Sequence, residues 1–279
     1  MDNAVERSGW ARFWENGRWW KALILAVAYL AIYEPASFLM APFLPYIGDA
    51  GSASYVTVLI AVPVLIGCLI LVGFGASVRW LRGLFARQQV RGSGWMWIAV
   101  AVVLAYNLMR FASIDYDAAG FDWVAAWLLA GLFIGFAEEV LTRGYVVRIM
   151  RSSGRSEIAV GLVSAALFAL LHATNLFTGQ AFVATAIQLL YTFFFGFCMY
   201  LALRVTGTII APILLHASTD PSIFMQSTYP VPGTLGSLAS LGNIVLVLVG
   251  AVLLVVFIVT ERRAGRRDRA SSVDLARTA

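Results

Sequence analysis

Two adjacent glutamates and an arginine lie in an otherwise apolar stretch of the chain, within the sequence FAEEVLTRG at residues 136–144. The preceding run, WVAAWLLAGLFIG, has the composition of a membrane-buried helix. A charged side chain near the centre of a bilayer costs roughly 2.5–3.5 kcal/mol on insertion scales, so such residues are usually partnered and functional. Glu138, Glu139 and Arg143 are therefore the first candidates for chemistry.

The spacing of these three residues separates their roles. Helix residues four apart share a face, whereas neighbours point about 100° apart. Glu139 and Arg143 are thus predicted to form an i,i+4 ion pair with a structural role. Glu138 faces elsewhere and has the uncharged Thr142 as its i+4 neighbour. Its partner must come from another helix.

The chain has only two histidines, His172 and His216, and both lie in apolar segments. If basic loop residues mark the inner membrane boundary, the ~1.5 Å helical rise places Glu138, His172 and His216 roughly 15, 22 and 18 Å from it. Asp220 follows His216 by four residues, so the two share a helix face. Three helices are predicted to build one polar cluster near mid-membrane.

A carboxylate bonded to an imidazole, with a water molecule between them, is a general-base device for attack on a carbonyl carbon. Glu138 is the predicted base, and either histidine is available as its partner. The other histidine and the aspartate of HASTD would then stabilise the oxyanion. Zinc is the rival use of Glu138, His172 and His216. The H-E-x-x-H signature is missing, so we expect no metal and no other cofactor.

The composition indicates what kind of elements hold these residues. Of the 279 residues, 61% are hydrophobic and 13% charged, against about a quarter charged in soluble domains. Long apolar runs in lipid must be helical, because backbone polar groups find no water there. We predict an all-α polytopic membrane protein of about eight transmembrane helices, with its active site at mid-membrane. The apolar segments are 21–44, 53–77, 94–113, 122–147, 157–176, 181–203, 207–226 and 238–260.

Residues 21–260 are predicted to form one transmembrane domain between two shorter terminal parts. Residues 1–20 contain four tryptophans and are expected to lie at the membrane interface. Residues 261–279 are polar and are expected to form a disordered cytoplasmic tail. Lysine and arginine concentrate in alternate connections, which places both termini in the cytoplasm. The dominance of arginine over lysine favours a prokaryotic plasma membrane.

Arg110, in the third apolar segment, is a further charge at membrane depth. Glu34 lies at similar depth in the first segment, and we expect these two residues to neutralise each other. The alternative is that Arg110 binds a carboxylate of the substrate.

The segments EEVLTRG, FALLH and HASTD, in this order on successive apolar segments, resemble the signature motifs of the CPBP family of intramembrane proteases, also called the CAAX prenyl protease or abortive-infection family. The resemblance covers roughly residues 136–220. It implies an eight-helix fold in which Glu138 and His172 hold a water molecule and His216 with Asp220 forms the oxyanion site. The family often has asparagine where this chain has Asp220. Because an ionised aspartate would repel an oxyanion, Asp220 must be protonated, pair with His216 or have another role.

The predicted function is that of a glutamic-type intramembrane endopeptidase, with the lipid bilayer and a peptide or protein substrate as partners and no nucleic acid. Two other classes also use polar residues at this depth. One is a proton-coupled transporter or relay, and the other is a non-enzymatic membrane protein of the bacteriocin-immunity type.

Overall fold

The structure, a computed structural model, describes residues 8–49 and 51–278, with side chains up to residue 266. Within this part of the chain the secondary structure is helical, and the extended pairing is limited to one isolated bridge, between Ile114 and Pro230. The predicted all-α fold is confirmed.

Eight long helical segments form the bundle of the described chain, numbered here α1 to α8. They are α1 (Trp20–Tyr46), α2 (Ala53–Ser77), α3 (Gly94–Phe111), α4 (Phe121–Ser152), α5 (Glu157–Leu176), α6 (Phe182–Thr206), α7 (Ile210–Thr228) and α8 (Gly242–Thr278). Short helices also occur at Gly9–Glu15, Leu81–Leu84, Tyr116–Ala119 and Thr234–Ser240.

Seven of these segments are long and apolar enough to cross a membrane, with Gly242–Arg266 as the apolar part of α8. The exception is α7, a helix of 19 residues that carries several polar side chains and packs against α3, α4 and α6. Its polar residues reduce its mean hydropathy. Several of them, such as His216 and Thr219, are buried against neighbouring helices rather than exposed to lipid. The protein is therefore an integral membrane protein.

The helices are irregular near two of the three motifs. In α4, regular α-helix ends at Glu139 and a π-helical segment, Val140–Val146, follows. In α5, regular α-helix ends at Leu171 and a 3-10 segment, His172–Leu176, follows. Short stretches of this kind are frequent at functional sites, where they re-aim side chains relative to a regular helix.

Two glycines bring α4 and α7 into close contact. A Cβ atom at Gly131 would lie 2.4 Å from the carbonyl oxygen of Ala217, and one at Gly135 would lie 2.6 Å from its amide nitrogen. Small residues four apart permit this approach of two backbones in a membrane. The adjacent turn of α4 carries the two glutamates, so the close packing brings them against α7.

The connections rich in arginine meet at one end of the bundle. The Gly92 amide in the α2–α3 connection donates to the Arg204 carbonyl at the end of α6, at 2.7 Å. The Glu157 carboxylate at the start of α5 binds Arg151 at 2.8 Å and Arg204 at 3.0 Å. Arg204 also binds Glu261 in α8 at 3.0 Å. Charged residues of α4, α5, α6 and α8 are thus joined in one network.

The N-terminal helix Gly9–Glu15 lies against this same end. The Trp10 indole donates to Ser77 at 3.0 Å, and the ring of the buried Trp14 contacts that of Phe74, with centroids 5.1 Å apart. Residues 1–7 of the predicted interfacial segment lie outside the described residues. The interfacial location of the rest stays a prediction.

The C-terminal part differs from the prediction, because α8 continues as helix to Thr278 where a disordered tail was expected. Extending an existing helix requires no new nucleation, and the alanine and arginine residues of the tail favour helix. Its location on the cytoplasmic side stays a prediction.

The predicted pairing of Glu34 with Arg110 was wrong. The Arg110 guanidinium instead donates to the Asn243 side chain of α8, at 2.8 Å. The reason is the arrangement of the helices: α3 packs against α6, α7 and α8, whereas α1 packs against α2, α4 and α5. Equal depth in the membrane does not bring two side chains together when their helices are not neighbours.

Candidate active site

Glu139 is fully buried and binds two cationic or potentially cationic groups. Its Oε1 atom accepts from Arg143 Nη1 at 3.2 Å, the i,i+4 ion pair expected within α4. The same oxygen lies 2.9 Å from His216 Nδ1 on α7. The sequence does not indicate this second contact, because it depends on how α4 and α7 face each other.

Arg143 is buried, and both of its terminal nitrogens donate to protein groups. Its Nη2 atom donates to the Gly196 carbonyl of α6 at 2.5 Å, and its guanidinium lies 4.5 Å from the ring centroid of Phe168 on α5. A Cβ atom at Gly196 would lie 2.8 Å from Nη2, so only glycine leaves room for this contact. Arg143 therefore links three helices and is not accessible to a substrate.

Glu138 differs from its neighbour in both burial and contacts. Its side chain is 24% exposed, against 0% for that of Glu139. Its Oε2 atom lies 4.0 Å from His216 Nε2 and accepts no hydrogen bond from the described residues. Glu138 is thus the carboxylate of this pair with neither oxygen bound, whereas Glu139 is bound through Oε1 and has only Oε2 without a partner.

His172 lies at the first position of the 3-10 segment that ends α5. Its Nδ1 atom is 3.2 Å from the Phe168 carbonyl oxygen. A carbonyl oxygen can only accept, so Nδ1 carries the proton and a neutral ring offers Nε2 as an acceptor. His216 Nε2 lies 4.0 Å from Glu138 Oε2, whereas no nitrogen of His172 lies within 4.0 Å of a described carboxylate oxygen.

Phe168 connects the two histidines. The centroid of its ring lies 5.3 Å from that of His172 and 5.5 Å from that of His216. Phe168 and His172 are the first and last residues of FALLH, one helical turn apart. The motif therefore places an aromatic spacer as well as an imidazole, although the spacing alone assigns the phenylalanine no role.

Asp220 and His216 share the face of α7 that is turned towards Glu138. Asp220 Oδ2 lies 3.6 Å from His216 Nε2, so the aspartate pairs with the imidazole, as one of the expected alternatives proposed. The His216 side chain is 2% exposed, and both of its ring nitrogens face carboxylate oxygens. When both ring nitrogens are protonated, Nδ1 can donate to Glu139 and Nε2 can donate to the carboxylates on the other side.

Asn107 of α3 fixes the position of α7, and it was not predicted to contribute. It is buried, and its Nδ2 atom lies 3.2 Å from the Leu215 carbonyl and 2.9 Å from each of the hydroxyls of Ser218 and Thr219. Its signal in the sequence is that of an isolated amide in an apolar run, which usually marks a helix–helix hydrogen bond.

The four predicted site residues thus come from α4, α5 and α7, and His216 is the residue that contacts most of the others. In the described chain, no three side chains of His, Cys, Asp or Glu form a group suited to holding a metal ion. The geometry offers a carboxylate, two imidazoles and a further acid.

This fold and this site define a polytopic membrane protein with an acid–imidazole cluster enclosed by its helices. Residues 120–221 match a family model described as type II CAAX prenyl endopeptidase Rce1-like. The matched residues contain all three motifs, which confirms the resemblance to the CAAX prenyl protease family. Neither the curated proteins nor the solved structures gave a match.

Proposed function

We propose that this protein is a glutamic-type intramembrane endopeptidase in which Glu138 activates a water molecule to cleave a peptide or protein substrate. The family match supports an endopeptidase of the CAAX-protease type in general. The specific mechanism is supported by one observation above all: the Glu138 carboxylate is without a hydrogen-bond donor among the described residues and faces the imidazole of His216.

In the proposed first step, a water molecule lies between the Glu138 carboxylate and His172 Nε2. Glu138 removes one proton while the water oxygen attacks the scissile carbonyl carbon. His172 Nε2 accepts a hydrogen bond from the second O–H of the water, which stays on the attacking oxygen, and so orients the oxygen lone pair. Glu138 then returns its proton to the leaving amine as the carbon–nitrogen bond breaks, so the carboxylate is regenerated.

The tetrahedral intermediate carries an oxyanion, and His216 is the proposed donor to it. The hydrogen bond to Glu139 holds His216 Nδ1 at 2.9 Å, which leaves Nε2 directed at Glu138 and Asp220. Donors fixed before the reaction need no reorganisation when charge develops, which is the source of their catalytic effect. In this proposal, the Asp220 carboxylate orients the imidazole before the reaction. The oxyanion then replaces Asp220 as the acceptor for His216 Nε2.

The role of Asp220 can be tested by two substitutions. Asp220→Asn is expected to retain kcat within about threefold, because an amide can replace the carboxylate and can also donate to the oxyanion. Asp220→Ala is expected to lower kcat by up to about 10²-fold, towards the cost of losing one oxyanion-stabilising group. Initial rates at saturating substrate measure both effects. An inactive Asp220→Asn protein would show that the negative charge itself is required.

The proposed activity is tested by incubating the purified full-length protein, in lipid nanodiscs, with an S-farnesylated peptide that ends in a C-a-a-X sequence. Mass spectrometry is expected to show one internal cleavage, with the rate unchanged by a zinc chelator. Loss of cleavage with the chelator and recovery on adding zinc would instead favour the metal site. Proton-coupled flux in reconstituted vesicles without any cleavage would favour the transporter class.

The proposal includes the orientation of the protein in the membrane. The clustering of the arginine-rich connections at one end of the bundle supports a cytoplasmic location of that end, with both termini beside it, in a prokaryotic plasma membrane. Residues 21–260 then form the catalytic domain, between the interfacial segment 1–20 and the cytoplasmic tail 261–279.

A further inference from the structure

Arg110 is a buried guanidinium that no carboxylate of the described chain contacts directly. Its exposure is 5%, and no carboxylate of the described chain lies within 4.0 Å of it. Its described hydrogen bond is to a neutral group, the Asn243 side chain, at 2.8 Å. A buried charge without a counter-charge is costly, and in membrane proteins it usually marks a binding site.

The surroundings of Arg110 leave room for its charged group. A Cβ atom at Gly242, the first residue of α8, would lie 2.4 Å from Nη2 of the guanidinium. The carbon at the centre of the guanidinium lies 6.0 Å from the ring centroid of Tyr106. The absence of a side chain at Gly242 therefore leaves space for the guanidinium beside the start of α8, with the Tyr106 ring nearby.

A cavity of about 340 Å³ opens beside this group. The polar residues that line it are Arg110, Gln226, Ser227, Ser240 and Asn243. No acidic residue is among the lining residues, and Arg110 is the one cation. The cavity thus offers a single positive charge with neutral hydrogen-bonding groups around it, which suits a small monoanion better than a doubly charged phosphate.

The cavity lies next to the candidate active site along α7. Two of its lining residues, Ile223 and Ser227, follow Asp220 by three and seven residues and continue the face that carries His216. At ~1.5 Å per residue they lie roughly 4–11 Å beyond Asp220 along the helix. An extended peptide covers ~3.3–3.6 Å per residue, so about one to three residues bridge this distance.

We propose that this cavity binds the C-terminal carboxylate of the substrate peptide and that Arg110 is the residue that recognises it. This inference rests on the proposed function. A planar carboxylate accepts two parallel hydrogen bonds from a guanidinium, which gives both charge and direction to the contact. A chain end held there extends along α7 towards Glu138, so the enzyme selects a peptide bond close to a free C-terminus.

The experiment uses full-length protein carrying Glu138→Gln, so that peptide is bound and not consumed. Its probes are two S-farnesylated peptides of one sequence, ending in Cys-Val-Ile-Ala, one with a free C-terminal carboxylate and the other with a C-terminal amide. Dissociation constants are measured by microscale thermophoresis in nanodiscs. The same pair is then measured after adding Arg110→Gln and, as a matched control, Arg87→Gln, which removes an equal charge from the exposed α2–α3 connection.

We expect the carboxylate peptide to bind at least about tenfold more tightly than the amide peptide. Arg110→Gln is expected to bring the ratio close to one, and Arg87→Gln to preserve it. Equal affinities of the two peptides, or no binding of either, would overturn the inference, and neither result depends on the Arg110 variant folding. Selective binding combined with no cleavage by the wild-type protein would leave this site standing and refute the proposed function instead.

Discussion

Replacing Glu138 by glutamine is expected to reduce kcat for peptide cleavage by about 10²–10⁴-fold, the usual contribution of a positioned general base. The amide matches the carboxylate in shape but accepts no proton from water. The Glu138 side chain contributes no hydrogen bond to the described fold, so the variant should be as stable as the wild-type protein. Rates of peptide cleavage and thermal unfolding in the same detergent measure the two effects separately.

The matched control for this substitution is Glu34→Gln, which neutralises another partly buried glutamate, in α1. It is expected to retain wild-type kcat. His172→Ala should also abolish cleavage, because the proposed water loses its second acceptor. Full activity of the Glu138→Gln protein would refute the assignment of the base, whatever the effect of the other two changes.

Replacing Glu139 by leucine is expected to affect stability far more than the change at Glu138. The substitution removes the carboxylate that binds Arg143 at 3.2 Å and His216 at 2.9 Å, all in a fully buried setting. Leaving one member of a buried pair without its partner costs about 3–5 kcal/mol. On the scale of a domain of this size, the expected fall in Tm is about 6–20 °C.

The control is Glu138→Leu, the same change one residue earlier, where no hydrogen bond is lost. It should be inactive but nearly as stable as wild-type protein. The double variant Glu139→Leu/Arg143→Leu is expected to recover much of the stability, since it removes both charges, while remaining inactive because His216 has lost its acceptor. If Glu139→Leu were as stable as Glu138→Leu, the proposed structural role of the ion pair would be wrong.

The resemblance in the sequence was specific because each of the three motifs fixes a particular contact or spacing between side chains in the fold. The acidic pair divides into one residue bound by Arg143 and one left free. The phenylalanine of FALLH separates two imidazoles. The aspartate of HASTD lies 3.6 Å from the histidine four residues before it. Spacings of four residues carry this information, because they are read on a single helix.

The sequence by itself determined the helical membrane fold, the Glu139–Arg143 pair and the shared face of His216 and Asp220. All of these depend on apolar length or on contacts within one helical turn. The tertiary structure alone decided that His216 binds Glu139 across 77 residues of chain, and that Arg110 meets Asn243 rather than Glu34. The physical reason is that depth and helix face follow from local periodicity, whereas the choice of neighbouring helix follows from packing, such as the approach of Gly135 to Ala217.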